Sequence, residues 1–131
     1  MAEFEQAGAD LLTRLADDTT LDAYDRLRAA ESLARMAGFE QTYGEALIRL
    51  VDDVTLVVSY RLRAAGTLTR MAGFEQAGAD LLTRLADDTT LDAYDRLRAA
   101  ESLAKLGGFE QAGAERLTRL GTRHRHASGT A

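Results

Sequence analysis

The chain has 131 residues, a hydrophobic fraction of 46%, no cysteine and a formal net charge of −5. The length suits one domain, and the lack of cysteine excludes disulfides and thiolate chemistry. A nucleic-acid-binding protein usually carries a basic face, so the acidic balance argues against that class. No apolar run is long enough for a membrane-spanning helix, and the start MAEFEQ does not resemble a secretory signal. We therefore expect a cytoplasmic protein.

A repeat of 35 residues dominates the sequence. The motif Phe-Glu-Gln recurs at this spacing, starting at Phe4, Phe39, Phe74 and Phe109. Segments 3–37 and 73–107 differ at four positions only. A fixed period of 20–50 residues is typical of repeat arrays. We predict one helical-repeat domain over 1–120, with repeats 3–37, 38–72 and 73–107 and a partial repeat 108–120.

Each period predicts two amphipathic helices. In the first half, FEQAGADLLTRLADD, apolar residues recur at steps of three and four, as on one face of a helix. In the second half, TTLDAYDRLRAAESLARMAG, Thr19 and Asp22 fit the spacing of a capping box, and Gly38 can end the helix in a left-handed conformation. The predicted helices are 3–16, 20–37, 39–51, 55–72, 74–86, 90–107 and 109–120.

These helices cannot bury their apolar stripes as isolated pairs, whereas stacked pairs can. The sequence therefore predicts an all-α fold, an α-solenoid of about seven antiparallel helices in helix-turn-helix repeats. Small residues should allow the helices to approach closely, namely Ala29, Ala30, Ala64, Ala65, Ala99 and Ala100.

The middle repeat contains VDDVTLVVSYRL at 51–62, which taken alone resembles a β-strand because of its β-branched and aromatic residues. A strand at 54–60 would leave both neighbouring repeats without a packing partner, so we predict a helix. Two interpretations of the added apolar residues stay open. Either the core repacks locally, with Ala46 replacing Leu11 and Tyr43 replacing Gly8, or a self-association patch is exposed. That patch would comprise Val54, Val57, Val58 and Tyr60.

The end of the chain, GTRHRHASGTA at 121–131, has no apolar periodicity, and we predict a disordered tail. The tail contains the two histidines, His124 and His126. Their i, i+2 spacing in a flexible segment is poor metal-binding geometry, so we predict no metal site, and no motif indicates a cofactor.

The pattern A-x3-L-x3-A-G-F-x2-A-x3-L, from Ala64 to Leu81, resembles the tetratricopeptide (TPR) repeat. The resemblance covers nearly the whole chain and implies a right-handed superhelix that binds proteins or peptides on a concave face. The segment DRLRAAESLA is also similar to the second helix of a HEAT repeat, and the 35-residue period suits pentatricopeptide repeats, although those RNA-binding proteins need a positive groove. The TPR position for a large apolar residue holds Arg26, Arg61 and Arg96, and the chain has no proline.

Mapped onto this chain, the resemblance implies that the longer helix of each pair builds the concave face. The implied partner-binding residues are Tyr24, Arg28, Glu31, Arg35, Ser59, Arg63, Arg70, Tyr94, Arg98, Glu101 and Lys105. The positions at which the family clamps a C-terminal carboxylate are not matched, so that ligand is not predicted.

Nothing in the sequence indicates an enzyme. The Asp pairs at 17–18, 52–53 and 87–88 could suggest carboxylate chemistry, but they recur in the same loop of every repeat, where Asp favours helix initiation. We predict a non-catalytic protein-interaction scaffold that forms a homodimer. The alternative is a designed, consensus-like or recently duplicated repeat protein whose only activity is folding and homo-oligomerisation, because segments 3–37 and 73–107 are nearly identical.

Overall fold

The fold is all-α in the computed structural model, which describes the backbone of residues 2–129 and the side chains of residues 2–121. This part of the chain contains no β-strand. Its helices are α1 (Ala2–Asp17), α2 (Ala23–Leu33), α3 (Glu40–Asp52), α4 (Val58–Leu68), α5 (Glu75–Asp87), α6 (Ala93–Ala104) and α7 (Glu110–Gly129). The predicted number and order of helices are thus confirmed, whereas several of their ends are not.

The second helix of each period begins later than the sequence predicts, because Asp22 rather than Thr19 is the N-cap. The Asp22 carboxylate accepts a hydrogen bond of 2.9 Å from the backbone N–H of Asp25, and Asp92 caps α6 in the same way. Thr20 belongs to the preceding turn, where its hydroxyl donates to Asp18 at 2.6 Å. The predicted capping box at Thr19 is therefore wrong.

The same helices also end earlier than predicted, at Leu33, Leu68 and Ala104. Hydrogen bonds to the residue three positions back then tighten the chain, as from Met36 N–H to the Leu33 carbonyl. The turn is completed at Gly38, whose φ of 90° is the predicted left-handed conformation. The second helices are consequently the shorter members of their pairs, which contradicts the expectation that they are the longer ones.

Residues 54–60 do not form a strand. Residues 54–57 make the turn between α3 and α4, and Val58 begins α4. The turn is held as in the outer repeats, since Asp53 accepts hydrogen bonds from both the N–H and the hydroxyl of Thr55. The periodic sequence context therefore prevails over the local β-propensity.

The last helix extends past residue 120, where the sequence predicts it to end, and its backbone is helical as far as Gly129. The sequence predicts a disordered tail at 121–131, whereas the backbone of residues 121–129 is helical. The Asp pair that ends α1, α3 and α5 has no counterpart in α7, where the equivalent positions 122–123 hold Thr and Arg. Residues 130 and 131 and the side chains of His124 and His126 lie outside the described residues.

Packing follows the order of the chain. Within residues 2–129, each helix contacts the next helix and the one after it, and no contact joins helices further apart. Leucines from successive helices fill the core, including Leu33, Leu47, Leu68, Leu82 and Leu103. All the alanines expected at close helix approaches are buried.

One recurring contact was not foreseen from the sequence. The buried Arg26 donates from Nε to the carbonyl of Ala16, in the last turn of α1, at 2.8 Å. Arg61 and Arg96 make the same bond to the ends of α3 and α5. A cation here satisfies a carbonyl that the helix leaves unpaired and lies at the negative end of the helix dipole. Each of these arginines thus ties the two helices of its pair together through a polar contact.

Arg26 also joins neighbouring repeats. Its guanidinium forms an ion pair of 2.9 Å with Asp53, and the two side chains are only 5% and 17% exposed. Hydrogen bonds from the Thr55 hydroxyl, from Arg26 and from the Thr55 N–H lower the pKa of Asp53 to about 2. Hydrogen bonds from Thr20 similarly lower the pKa of Asp18.

The first prediction concerns Arg26. We expect Arg26→Met to lower the free energy of unfolding by about 2–3 kcal/mol, because it leaves the Ala16 carbonyl and the Asp53 carboxylate without their buried cationic donor. Urea denaturation measures the loss. Arg28→Met, at an exposed position of the same helix, is the control and should change stability far less. Equal losses in the two variants would contradict the structural role of Arg26.

The second prediction concerns acid stability. The pKa of Asp53 is lower in the fold than its ordinary value of 3.8, so its stabilising effect is complete above that value and is lost as the pH falls towards 2. The urea midpoint of the native protein should therefore fall over this range more steeply than that of Asp53→Asn. Glu5→Gln, at an exposed position, should keep the native slope. The same slope in Asp53→Asn and the native protein would contradict the assignment.

Candidate interaction surfaces

The residues that the TPR resemblance implies for partner binding all lie on α2, α4 and α6 or at their ends. Successive members of this set of helices contact each other directly, so the residues belong to one continuous row of helices. All of them are exposed except Glu31, which is partly buried. Their role in binding a partner stays a prediction.

The predicted partner-binding residues are mostly basic although the chain is acidic. Among the predicted partner-binding residues, six are basic and two are acidic, whereas the whole chain has a net charge of −5. Two of the arginines lie over tyrosine rings: Arg28 is 5.7 Å from the centre of the Tyr24 ring, and Arg98 is 5.9 Å from that of Tyr94. Such cation–π contacts hold a guanidinium in place without neutralising its charge.

One ion pair spans this surface. Arg63 on α4 donates to Glu31 on α2 at 2.7 Å, between residues that are 32 positions apart. Tyr43 lies close by. Burial raises the pKa of its phenol, and the charge of Glu31 adds to this effect while Arg63 and Arg70 oppose it.

A groove lies between α4 and α6 on the same surface. Its volume is about 220 Å³, and it is lined by Ser59, Leu62, Arg63, Gly66, Arg70, Arg98 and Ser102. Three of these are arginines and none carries a carboxylate. Gly66 is the position at which the outer repeats have glutamate, Glu31 and Glu101. The middle repeat thus leaves the groove without the acidic residue that the period would otherwise supply.

The predicted self-association patch divides into two parts. Val54 and Val57 are exposed, by 76% and 63% respectively, in the turn before α4. Val58 and Tyr60 are partly buried and pack against the core. Tyr43 and Ala46 are buried in the same repeat. Local repacking of the core therefore describes Tyr43, Ala46, Val58 and Tyr60. An exposed apolar patch describes only Val54 and Val57.

A second apolar surface lies on α1. Residues 4–34 and 74–104 are identical, but Phe4 is 81% exposed and Phe74 only 8%. Leu11 and Leu81 differ in the same way, at 51% and 3%. The Phe74 ring packs against Gly44 of the preceding repeat, where an added Cβ would overlap it. No helix of the described residues covers this side of α1, so Phe4 and Leu11 form an uncovered apolar face.

The other end of the row of helices is polar. The exposed residues of α7 within the described side chains are Gln111, Ala114, Glu115, Thr118 and Arg119, together with Glu110. Arg116 takes the place of the buried Leu81 and forms a two-pronged ion pair with Asp87, at 2.9 and 3.0 Å. The two ends of the molecule therefore differ, with an apolar face on α1 and a polar one on α7.

The recurring Asp pairs have structural partners. The first aspartate of each pair faces a basic residue of the next repeat: Asp17 with Arg49, Asp52 with Arg84 and Asp87 with Arg116. The second holds the following turn through a threonine, as Asp53 does with Thr55. Among the residues that the structure describes, no group of three or more His, Cys, Asp or Glu side chains could hold a metal ion.

Comparisons with protein-family models, with curated proteins and with solved structures found no match to this chain. No helix in the described part of the chain combines the length and the apolar character needed to cross a membrane. Any functional conclusion therefore rests on the contacts, exposure and charges of this chain itself.

The third prediction concerns the middle repeat. Val57 is the N-cap residue of α4 and makes no side-chain capping bond, whereas Asp22 and Asp92 do so at the equivalent positions. Val57→Asp should raise the free energy of unfolding by about 1 kcal/mol, since it supplies the missing acceptor. Urea denaturation is the measurement. Val57→Ala removes the apolar group without adding an acceptor and is the control; if it stabilises the protein as much, capping is not the cause.

Proposed function

We propose that this chain is a non-catalytic protein-interaction scaffold, built as a TPR-like α-solenoid, that associates with a second copy of itself. Contacts confined to the next helix and the one after it, in the described residues, support a stacked row of helix pairs. The repeated bond from Arg26, Arg61 and Arg96 to the preceding helix end supports the same unit in each period. A cytoplasmic location belongs to this proposal.

The observation that carries self-association is the difference between Phe4 and Phe74. The two residues stand in identical sequences, and they differ in exposure because the middle repeat covers Phe74 whereas no helix of the described residues covers Phe4. The ends of repeat arrays normally need a polar outer face. The face formed by Phe4 and Leu11 is not polar, whereas α7 provides a polar face at the other end.

The difference between α1 and α7 favours a symmetric dimer over a head-to-tail chain. The exposed side chains of α7 include Gln111, Glu115 and Arg119. A second copy stacked on α7 would bring its apolar α1 face against these polar side chains. Two α1 faces related by a two-fold axis match each other in character, and two-fold dimers are the commonest oligomers.

The turn residues Val54 and Val57 offer an alternative dimer contact, since they are the other strongly exposed aliphatic residues. Val57→Asp separates the two surfaces. It should leave the dimer intact if α1 forms the contact, and it should dissociate the dimer if Val57 does.

The alternative function favoured by the identity of residues 4–34 and 74–104 is a designed or recently duplicated repeat protein. Such a protein would fold and self-associate but would bind no other molecule. Dimerisation is common to both proposals, so only binding to a different protein or peptide distinguishes them.

The fourth prediction tests self-association. Sedimentation velocity over a range of concentrations should show a monomer–dimer equilibrium for the native chain. The double variant Phe4→Ser, Leu11→Ser should raise the dimer dissociation constant at least about 100-fold, because each buried Phe or Leu contributes about 1.5–3 kcal/mol and the dimer loses two of each.

Tyr94→Ser is the matched control, since Tyr94 is an exposed aromatic residue on α6, away from the α1 face. It should leave the dimer dissociation constant unchanged. A native chain that remains monomeric at its highest soluble concentration would overturn the self-association proposal, and dissociation by Tyr94→Ser would overturn the assignment to α1.

A further inference from the structure

The ion pair between Glu31 and Arg63 belongs to a pattern that the middle repeat breaks. The two residues are 32 positions apart, and the same spacing relates Gly66 to Arg98. A glutamate at 66 would be placed to reach Arg98 as Glu31 reaches Arg63. Gly66 has no side chain, and within the described residues neither Arg98 nor Arg70 lies within ion-pairing distance of a carboxylate.

The space that a glutamate at 66 would occupy is open. A Cβ added at Gly66 would meet no atom within 4 Å. The groove of about 220 Å³ lies at this point, and Arg98 and Arg70 line it together with Arg63. The hydroxyl groups of Ser59 and Ser102 line the same groove and can donate further hydrogen bonds. The site therefore combines two guanidinium groups that form no ion pair with any described residue, two hydroxyls and room for a ligand.

From this juxtaposition we infer that the groove between α4 and α6 binds an acidic peptide segment of a partner protein. A Glu or Asp side chain of that segment would lie beside Arg98, just as Glu31 lies beside Arg63 in the preceding pair of helices. The inference rests on the proposed function as a protein-interaction scaffold and names the class of partner. Arg98 would bind the carboxylate through its guanidinium fork, a geometry that matches carboxylates well.

Charge and shape favour an acidic peptide over nucleic acid. The chain as a whole carries a formal net charge of −5, so a long polyanion would meet net negative charge beyond the groove. The exposed rings on which a base could stack, Tyr24 and Tyr94, already lie against arginines. The Glu31–Arg63 pair shows that a carboxylate fits beside an arginine on this surface.

The fifth prediction tests this site with a fluorescent hexaglutamate peptide, acetylated and amidated so that only side-chain carboxylates are present. Fluorescence anisotropy should detect binding to the full chain, and binding should weaken as NaCl is added. Gly66→Glu should weaken binding at least about tenfold, because the new carboxylate pairs with Arg98 and opposes the ligand charge. Glutamate is a better helix former than glycine, so this variant should fold at least as well as the native chain.

Matched variants give the controls. Gly121→Glu adds the same charge on α7, where an added Cβ also meets no neighbour, and should leave the affinity nearly unchanged. Arg98→Gln should weaken binding at least about tenfold. Arg28→Gln removes the equivalent arginine of the first repeat, which does not line the groove, and should have a much smaller effect.

Three results would overturn the inference: no binding of hexaglutamate, equal binding of hexaglutamine, or equal affinities of Gly66→Glu and Gly121→Glu. Tighter binding of an oligothymidylate of equal charge would instead assign the groove to nucleic acid. These outcomes are independent of self-association, since sedimentation reports on the α1 face. A dimer that fails to bind hexaglutamate refutes this inference alone, and a monomer that binds it refutes only the self-association proposal.

Discussion

The structure depends on one constraint: each helix pair can bury its apolar face only against the pair before it or after it. The two identical segments, residues 4–34 and 74–104, make this visible within a single chain. The third repeat packs Phe74 and Leu81 against the middle repeat, and the same side chains of the first repeat, Phe4 and Leu11, are exposed. A difference in environment between identical sequences can come only from their neighbours. The α1 face is therefore the surface on which the self-association proposal rests.

The middle repeat differs from its neighbours at the positions where repeats meet. Gly44 leaves space for the Phe74 ring of the next repeat. Gly66 stands at the position equivalent to Glu31, so Arg98 lacks a carboxylate partner like the one that Glu31 gives Arg63. Val57 removes a helix cap and exposes an apolar side chain. The first change improves the packing between repeats, whereas the other two lower local stability or leave charge unpaired. Such local costs without a structural gain are expected at functional surfaces.

The period, the helical class and the buried alanines could be predicted from the sequence because they follow from apolar spacing over many residues. The helix ends could not, because the loop DDTTLD contains several residues able to cap a helix, and Asp18 and Asp22 divide the roles of turn and cap. The hydrogen bond of Arg26 was not predicted either, because its partner is the backbone carbonyl at the end of α1, which no residue type in the sequence reveals. The α4–α6 groove depends on residues 32 positions apart, so only the packing of the repeats brings Arg98 next to Gly66.

The exposure of Phe4 is the most direct test of this account. The chain has four phenylalanines, so labelling with 4-fluorophenylalanine gives four ¹⁹F NMR signals that single substitutions can assign. As the protein concentration rises, the Phe4 signal should move towards the buried position of Phe74, while those of Phe74 and Phe109 stay fixed. A Phe4 signal that remains at its solvent-exposed position at every concentration would contradict the claim that a second copy covers the α1 face.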